Sequence, residues 1–247
     1  MGQQVMPAFA FPASRTSEAR PSRIGASVLG PILDLARAVK QRLDVVRLKY
    51  RWEWLRRRGM HIGQGVNLPA STAIDASHCF LISIGDWCGF GEECILLAHD
   101  GQIDEFLDAT RIGRVVIHPH SHLGARTIVL AGVEIGPHTL VGAGSVVTQS
   151  LPADSVCAGS PARVLMSLDE YLTKHREALS RLPQFAYLSY DIRSLTAERK
   201  AELVAAVARA DAYMVGGYSA TLRGEGGIIT TRFDRRALQV LACPAKE

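Results

Sequence analysis

The stretch that decides the fold runs from Ile117 to Pro152 and divides into sixes: IHPHSH, LGARTI, VLAGVE, IGPHTL, VGAGSV, VTQSLP. Each unit opens on an aliphatic residue: Ile117, Leu123, Val129, Ile135, Val141 and Val147. In the first five units a small or β-branched residue follows four places later: Ser121, Thr127, Val133, Thr139 and Ser145. Gly124, Gly136 and Gly142 come directly after their aliphatic residues. A helical period of 3.6 cannot give this pattern, and a strand period of two leaves the glycines unexplained. A six-residue unit needs a short strand and a bend. Three units then make an eighteen-residue triangular coil, stacked on the next at ~4.8 Å. The aliphatic residue points to the axis, and the small one turns the corner.

The same pattern is found upstream. IGDWCG, FGEECI and LLAHDG start at Ile84, Phe90 and Leu96, and a fainter block (IGQGVN, LPASTA, IDASHC) starts at Ile62. The repeat, with the closing segment "VLAGVEIGPHTLVGAGSVVTQSLPADSVCAGSPARVL" (Val129 to Leu165), resembles the hexapeptide-repeat acyltransferase superfamily. The closing segment is similar to that of the galactoside, maltose, serine and polysaccharide O-acetyltransferases, and the chain most resembles the galactoside, maltose and polysaccharide type. The resemblance covers roughly residues 60 to 165. It implies a mainly β fold, a left-handed parallel β-helix, closed as a homotrimer with sites between subunits.

Around this domain (60–165) the chain reads as an N-terminal segment, 1–23, rich in Pro, Ser, Arg and Ala and disordered by composition, and an amphipathic helical segment, 24–58. A C-terminal extension, 166–247, is mixed helical and β. In the helical segment Ile32, Val39, Leu43, Val46, Tyr50 and Trp54 form one apolar stripe. Packing on the domain is favoured over contact with a membrane surface, although Trp52, Trp54 and the arginines leave a weak contact open. Ser167-Leu-Asp-Glu170 is a capping box opening a helix to about Leu182. A second helix is expected from Thr196 to Met214, and a hairpin within "SATLRGEGGIITTRF" (residues 219–233).

Composition narrows the function classes. No apolar run reaches the ~18 residues of a membrane span. The first residues lack the form of a signal peptide. The five cysteines (Cys79, Cys88, Cys94, Cys157, Cys243) are odd in number and form no C-x-x-C pair, which argues against a disulfide framework and for a cytoplasmic setting. The net charge of +4 is concentrated between Arg15 and Arg58. A solvated helix face accounts for it better than nucleic-acid binding.

The strict repeat breaks after "ILLAHDG": residues from Asp100 to about Arg114 fit no unit and form an extruded loop. Loops on a rigid scaffold tend to carry function. The resemblance puts a general base at this edge, which falls on His99, and imidazole with its ordinary pKa near ~6.5 suits removal of a hydroxyl proton. Asp100 is the first candidate to orient the ring, with Asp75 or an acid from a neighbouring subunit competing. Asp75 also stands where relatives carry a polar residue that contacts the acceptor.

Positions eighteen apart should stack, so Ala125 lies under Ala143 and Gly132 under Ser150. The resemblance implies that acetyl-CoA, the acyl donor, lies along such an edge, touching Ala125, Ala143, Thr148 and Gln149, with Arg163 near its phosphates. Gln149 departs from the more usual Lys. Ala125 is also the backbone position chosen for oxyanion stabilisation.

The expected activity is therefore acetyl-CoA-dependent O-acetylation of a hydroxyl on a sugar or glycosylated acceptor. Amino-sugar N-acetylation, a zinc-dependent carbonic-anhydrase-like β-helix and a non-catalytic trimeric scaffold are the alternatives. His118, His120 and His122 alternate as strand ligands would, but the bend inside their unit turns them apart. His120 is expected to stack with His138, and no metal is expected.

Overall fold

The computed structural model describes residues 50–191 and 195–217. The expectations for the N-terminal segment, for most of the amphipathic stripe, for Cys243 and for the hairpin fall outside those residues.

The hexads form three parallel sheets that the chain visits in rotation. The first sheet holds His61–Ile62, Ile82–Ile84, Val115–Ile117 and Glu134–Ile135. The second holds Gly89–Phe90, His122–Leu123, Leu140–Val141 and Ser155–Gly159, and the third Ala73–Ile74, Ile95–Leu96, Ile128–Val129 and Val146–Val147. Each coil passes from first to second to third sheet, and the domain is a left-handed parallel β-helix. Register confirms the eighteen-residue coil where the repeat is strict: Ile135 pairs with Ile117, Val141 with Leu123 and Val147 with Val129. The aliphatic openers form three inward ladders, with Ile84, Ile117 and Ile135 on the first sheet all essentially inaccessible.

The residue that bends the chain is the one before the small residue. Trp87, Glu93, His120, Arg126 and His138 all have φ between 54° and 60°, in the left-handed region, and Gly132 and Gly144 take equivalent places. The small residue tucks inside behind this bend. Its hydroxyl satisfies a carbonyl of the turn: Ser121 Oγ donates to Gly136 O, Thr127 Oγ1 to Gly124 O, and Ser145 Oγ to Gly142 O. Cys88 and Cys94 occupy the same inward place upstream and their thiols contact His118 O and Gly124 O. Burial pushes the Cys88 thiol up to about 11. All four cysteines among the described residues are buried and free.

The coil is irregular only at the third corner, between third and first sheets. Residues 75–81 are inserted there in one coil, including a 3-10 turn at Cys79–Leu81, and residues 97–114 in the next. In the last coil the same corner is shortened, because Ile135 bridges to Leu151, sixteen residues on. The sixth unit is thus four residues long, and Leu151 opens a new one, with Asp154 at the bend and Ser155 buried. This corrects the stacking of Gly132 under Ser150: Ser150 Oγ instead accepts from the Glu134 backbone N–H.

The first coil is closed by a helix over residues 50–57. Trp52 and Leu55 are buried with Met60, Ile62 and Leu68, whereas Tyr50 and Trp54 are exposed. The apolar face at this end is therefore the one through Trp52 and Leu55, and the stripe expected through Tyr50 and Trp54 points to solvent. Arg51 explains the choice of face, since its guanidinium donates at 2.6 Å to both Ala70 O and Thr72 O, carbonyls on the exposed first coil.

At the other end an antiparallel strand, Ala162–Ser167, returns along Ser155–Gly159. The capping box forms as expected, with Ser167 and Glu170 opening the helix Leu168–Leu179. The second helix is shorter than its pattern suggested, Ala197–Val207. Tyr213–Val215 leaves it to pair in parallel with Gln184–Ala186, anchored by Tyr213 OH against His175 Nδ1 at 2.8 Å.

Candidate active site

Both insertions leave the β-helix at the third corner, on successive coils, and they bring their polar residues together. Ala73–Ile74 pairs with Ile95–Leu96, so the residues that follow each strand emerge side by side. Asp75 follows the first strand and Ala98 and His99 follow the second. The loop that leaves there is closed by its own antiparallel pair, His99–Asp100 with Arg111–Ile112, and tied back by Arg111 Nη2 to Ala131 O.

The Asp75 carboxylate is 1% exposed and fully engaged. Its Oδ2 accepts from the Ala98 N–H and lies 2.5 Å from His99 Nδ1. Its Oδ1 accepts from Ser77 Oγ at 2.7 Å and from the His78 N–H at 3.2 Å. Burial by itself would raise the carboxyl pKa. The hydrogen bonds from His99, Ser77 and the His78 backbone outweigh it and hold the group well below the usual carboxylate range. With Asp75 ionised, His99 Nδ1 is the donor, and Nε2 of the half-exposed ring is left as the basic nitrogen.

The acid seated on His99 is thus Asp75. Asp100 is held in the loop strand, where its Oδ1 accepts from Gln102 N at 3.0 Å. The correction has a simple cause. Adjacent residues on a strand point to opposite faces, whereas Asp75 arrives on the neighbouring coil at the right height.

Sequence reasoning missed His78. It sits on the inserted turn, its ring centroid 4.7 Å from that of His99 at a 41° tilt, with Nδ1 3.6 Å from Asp75 Oδ2. Asp75, His78 and His99 bring one possible ligand atom each within 4.8 Å of one another. The signal was available in "IDASHC", where the repeat also breaks.

The residues chosen for the acyl donor divide between edges. Thr148 and Gln149 are exposed at the third corner, on the same edge as His99. Ala125 and Ala143 are exposed at the second corner, across the third sheet from it. Arg163 is exposed on the returning strand, its Nη1 donating to its own neighbour's Ala162 O. Within one chain His99 and Ala125 therefore do not share an edge.

The histidine-rich run behaves as a column at the first corner. His120 and His138 stack at 5.2 Å and 25°, His118 Nε2 lies 3.5 Å from Glu134, and His138 Nδ1 lies 3.2 Å from Asp154. Three rings do not converge there.

Comparison with known proteins agrees with the coil. Residues 114–149 match the bacterial transferase hexapeptide (six repeats) family. "Putative acetyltransferase YvoF" of Bacillus subtilis (strain 168) is 31% identical over 111 residues, 45% of this chain and 62% of that protein. The 2,3,4,5-tetrahydropyridine-2,6-dicarboxylate N-acetyltransferase of Clostridium perfringens (strain SM101 / Type A) is 43% identical over 60 residues, 24% of this chain and 25% of that protein. The chain thus spans less than two thirds of the length of these curated relatives. Among solved structures, a hexapeptide-repeat acetyltransferase of Vibrio cholerae O1 biovar eltor, complexed with acetyl coenzyme A, is similar over 58% of this chain and 91% of that one. Its identity is 22% and its TM-score 0.40. The coils that display Asp75 and His99 are therefore continuous with a segment, residues 114–149, made of bacterial transferase hexapeptide repeats, the repeat of the superfamily that the sequence resembles.

Proposed function

We propose that the protein is an acetyl-CoA-dependent acetyltransferase whose acceptor is a hydroxyl of a sugar or glycosylated molecule. The observation that carries the reading is the Asp75–His99 pair at the inserted corner. Asp75 holds the ring in one tautomer and stabilises the imidazolium that forms. The acceptor oxygen attacks the thioester carbonyl carbon as its proton passes to His99 Nε2. The tetrahedral intermediate collapses, the carbon–sulfur bond breaks, and the proton on Nε2 is delivered to the departing thiolate. A general base of this kind contributes ~10²–10⁴-fold in rate.

Thr148 and Gln149 supply donor contacts on the edge of His99, and Ala125, Ala143 and Arg163 belong to the facing edge of a neighbouring copy in a homotrimer. A cytoplasmic setting fits the four free cysteines among the described residues. An amine acceptor is the second reading, favoured by the N-acetyltransferase name of the Clostridium perfringens relative.

The test is thiol release from acetyl-CoA with a panel of sugars, glycosides and amino sugars, and mass spectrometry of the product. His99→Ala should lose ~10²-fold or more of the rate while its circular dichroism stays native. Full activity in that variant with the true acceptor would defeat the reading. An acetamide product would transfer it to the amine class.

A further inference from the structure

The inserted corner holds more ligating chemistry than a base and its orienting acid require. Asp75 Oδ1 is occupied by Ser77 Oγ and the His78 N–H, which turns Oδ2 toward both imidazoles. His78 Nδ1 and His99 Nδ1 lie 3.6 Å and 2.5 Å from that one oxygen. Among the described residues this is the one group of three such side chains with ligand atoms so close. The more conspicuous histidines of the first corner are engaged elsewhere, face to face or with single acids.

We propose that Asp75, His78 and His99 bind one divalent transition-metal ion of the zinc class, and that the ion switches off the base by replacing the Asp75–His99 hydrogen bond. The inhibitory half rests on the acetyltransferase reading, whereas the binding half does not. Two imidazoles and a carboxylate are a donor set for zinc, cobalt or nickel, whereas magnesium and calcium ask for oxygens. Three protein ligands leave one position for water or an anion.

The geometry is close to what such an ion needs. Donor atoms around a tetrahedral zinc stand about 3.3 Å apart, given metal–ligand distances near ~2.0–2.1 Å. Asp75 Oδ2 and His78 Nδ1, at 3.6 Å, already meet this. His99 Nδ1 must withdraw by roughly 1 Å to reach the same spacing, and its half-exposed side chain has room to turn. The carboxylate is held on its far oxygen, Oδ1, by Ser77 and the His78 N–H, and the Ala98 N–H steadies Oδ2 itself, the kind of outer support that orients a metal ligand.

The proton balance explains the switch. In the metal-free pair the neutral His99 ring carries its proton on Nδ1, and Nε2 has the free lone pair. A metal on Nδ1 takes the place of that proton: the Nδ1–H bond breaks, an Nε2–H bond forms by proton exchange with water, and the freed Nδ1 lone pair binds the ion. The ring remains neutral. Nε2 is then an N–H donor and cannot accept the acceptor's proton.

The experiment uses untagged full-length protein, stripped with a chelator and titrated with zinc chloride by calorimetry. Cobalt(II) serves as a spectroscopic probe of the same site. The expected result is one ion per chain, with cobalt d–d bands of a low-coordinate N/O site that zinc bleaches. His78→Gln and His99→Gln should each weaken binding tenfold or more, and His78→Phe, which keeps a ring beside His99, should do the same. His138→Asn should bind as the parent does. Thermal melts establish that each variant is folded.

Absence of saturable binding in the parent would overturn the site. So would binding that survives both His78 variants and is lost in His138→Asn. In the assay zinc should suppress thiol release, with recovery on adding chelator and weaker suppression in His78→Gln. Binding without suppression would overturn the switch. No activity in the stripped parent would count against the acetyltransferase reading and leave the calorimetry to decide the metal site.

Discussion

At the residue scale the decisive group is Asp75, a buried carboxylate whose four hydrogen-bond donors come from two successive coils. Its folded pKa lies below the ordinary carboxylate value, so the sign is that of a depressed acid. Its contribution to stability is complete above the ordinary carboxylate range and is lost as pH falls through the folded pKa. Asp75→Asn keeps the shape but presents an NH₂ group to donors that need an acceptor. It should lower stability by roughly 1–3 kcal/mol at neutral pH. Denaturant melts of parent and variant from pH 7 down to pH 2 should show the difference narrowing with acidity, and a gap that widens toward low pH would contradict the assignment. Under the proposed function the variant should also lose thiol release from acetyl-CoA, since an amide neither fixes the His99 tautomer in the same sense nor stabilises an imidazolium. This partnership was only half legible beforehand. An eighteen-residue rule sets Asp75 beside position 93, but the inserted turn lengthens that coil, and Ile74 pairs with Leu96 instead. His99 was marked by the loop it borders. Its acid was named only as a competitor, because the neighbouring Asp100 is nearer in sequence and cannot turn to the same face.

At the scale of the single coil, the inward side wrote itself into the sequence and the outward bend did not. An aliphatic residue every six positions is required by the axis, and the small residue two places before the next is required by the corner. The bending residue between them has only to enter the left-handed region, and tryptophan, glutamate, histidine and arginine all do so here. No residue type marks it. The shortened sixth unit was equally hidden, since Leu151 sits where the repeat calls for a small or β-branched residue and only Ser155, four residues later, hints at the new register.

Two glycines separate crowding from bending. A Cβ on Gly91 would stand 2.3 Å from the Ala125 backbone N, on the next coil, with no flexible side chain to give way. A Cβ on Gly144 would meet nothing within 4 Å, but its φ is 70°. Gly91→Ala should therefore cost ~1–3 kcal/mol or more through forced separation of coils. Gly144→Ala should cost nearer ~1 kcal/mol, the price of the left-handed backbone alone. Chemical denaturation of the two variants side by side checks the ranking, and a larger loss at Gly144 would show that the bend, and not the coil contact, sets the glycine requirement. Arg51→Ala, which frees Ala70 O and Thr72 O at the first coil, should cost ~1–3 kcal/mol.

For the whole molecule, the proposed function together with the arrangement of edges requires more than one chain for a complete site. His99, Thr148 and Gln149 lie at the third corner, and Ala125 and Ala143 lie across the third sheet at the second. A donor lying against both sets is reached by setting the third corner of one copy against the second corner of another, and a three-cornered column repeats that contact around a threefold axis to give a closed ring. The loop at the third corner also carries Ile103, Phe106, Leu107 and Ile112, each at least 40% exposed, on an otherwise acidic and polar excursion. Apolar side chains on a loop held by a backbone ladder and by Arg111 are suited to cover a neighbour. Light scattering of the purified protein should therefore give three times the chain mass. Phe106→Glu together with Leu107→Glu should shift it toward the monomer. The charged variant should lose activity together with assembly while retaining the circular dichroism of the β-helix, because neither residue touches the coil's core. A monomeric parent, or a monomeric variant with full activity, would return the whole site to a single chain and require Ala125, Ala143 and Arg163 to be given up as donor contacts.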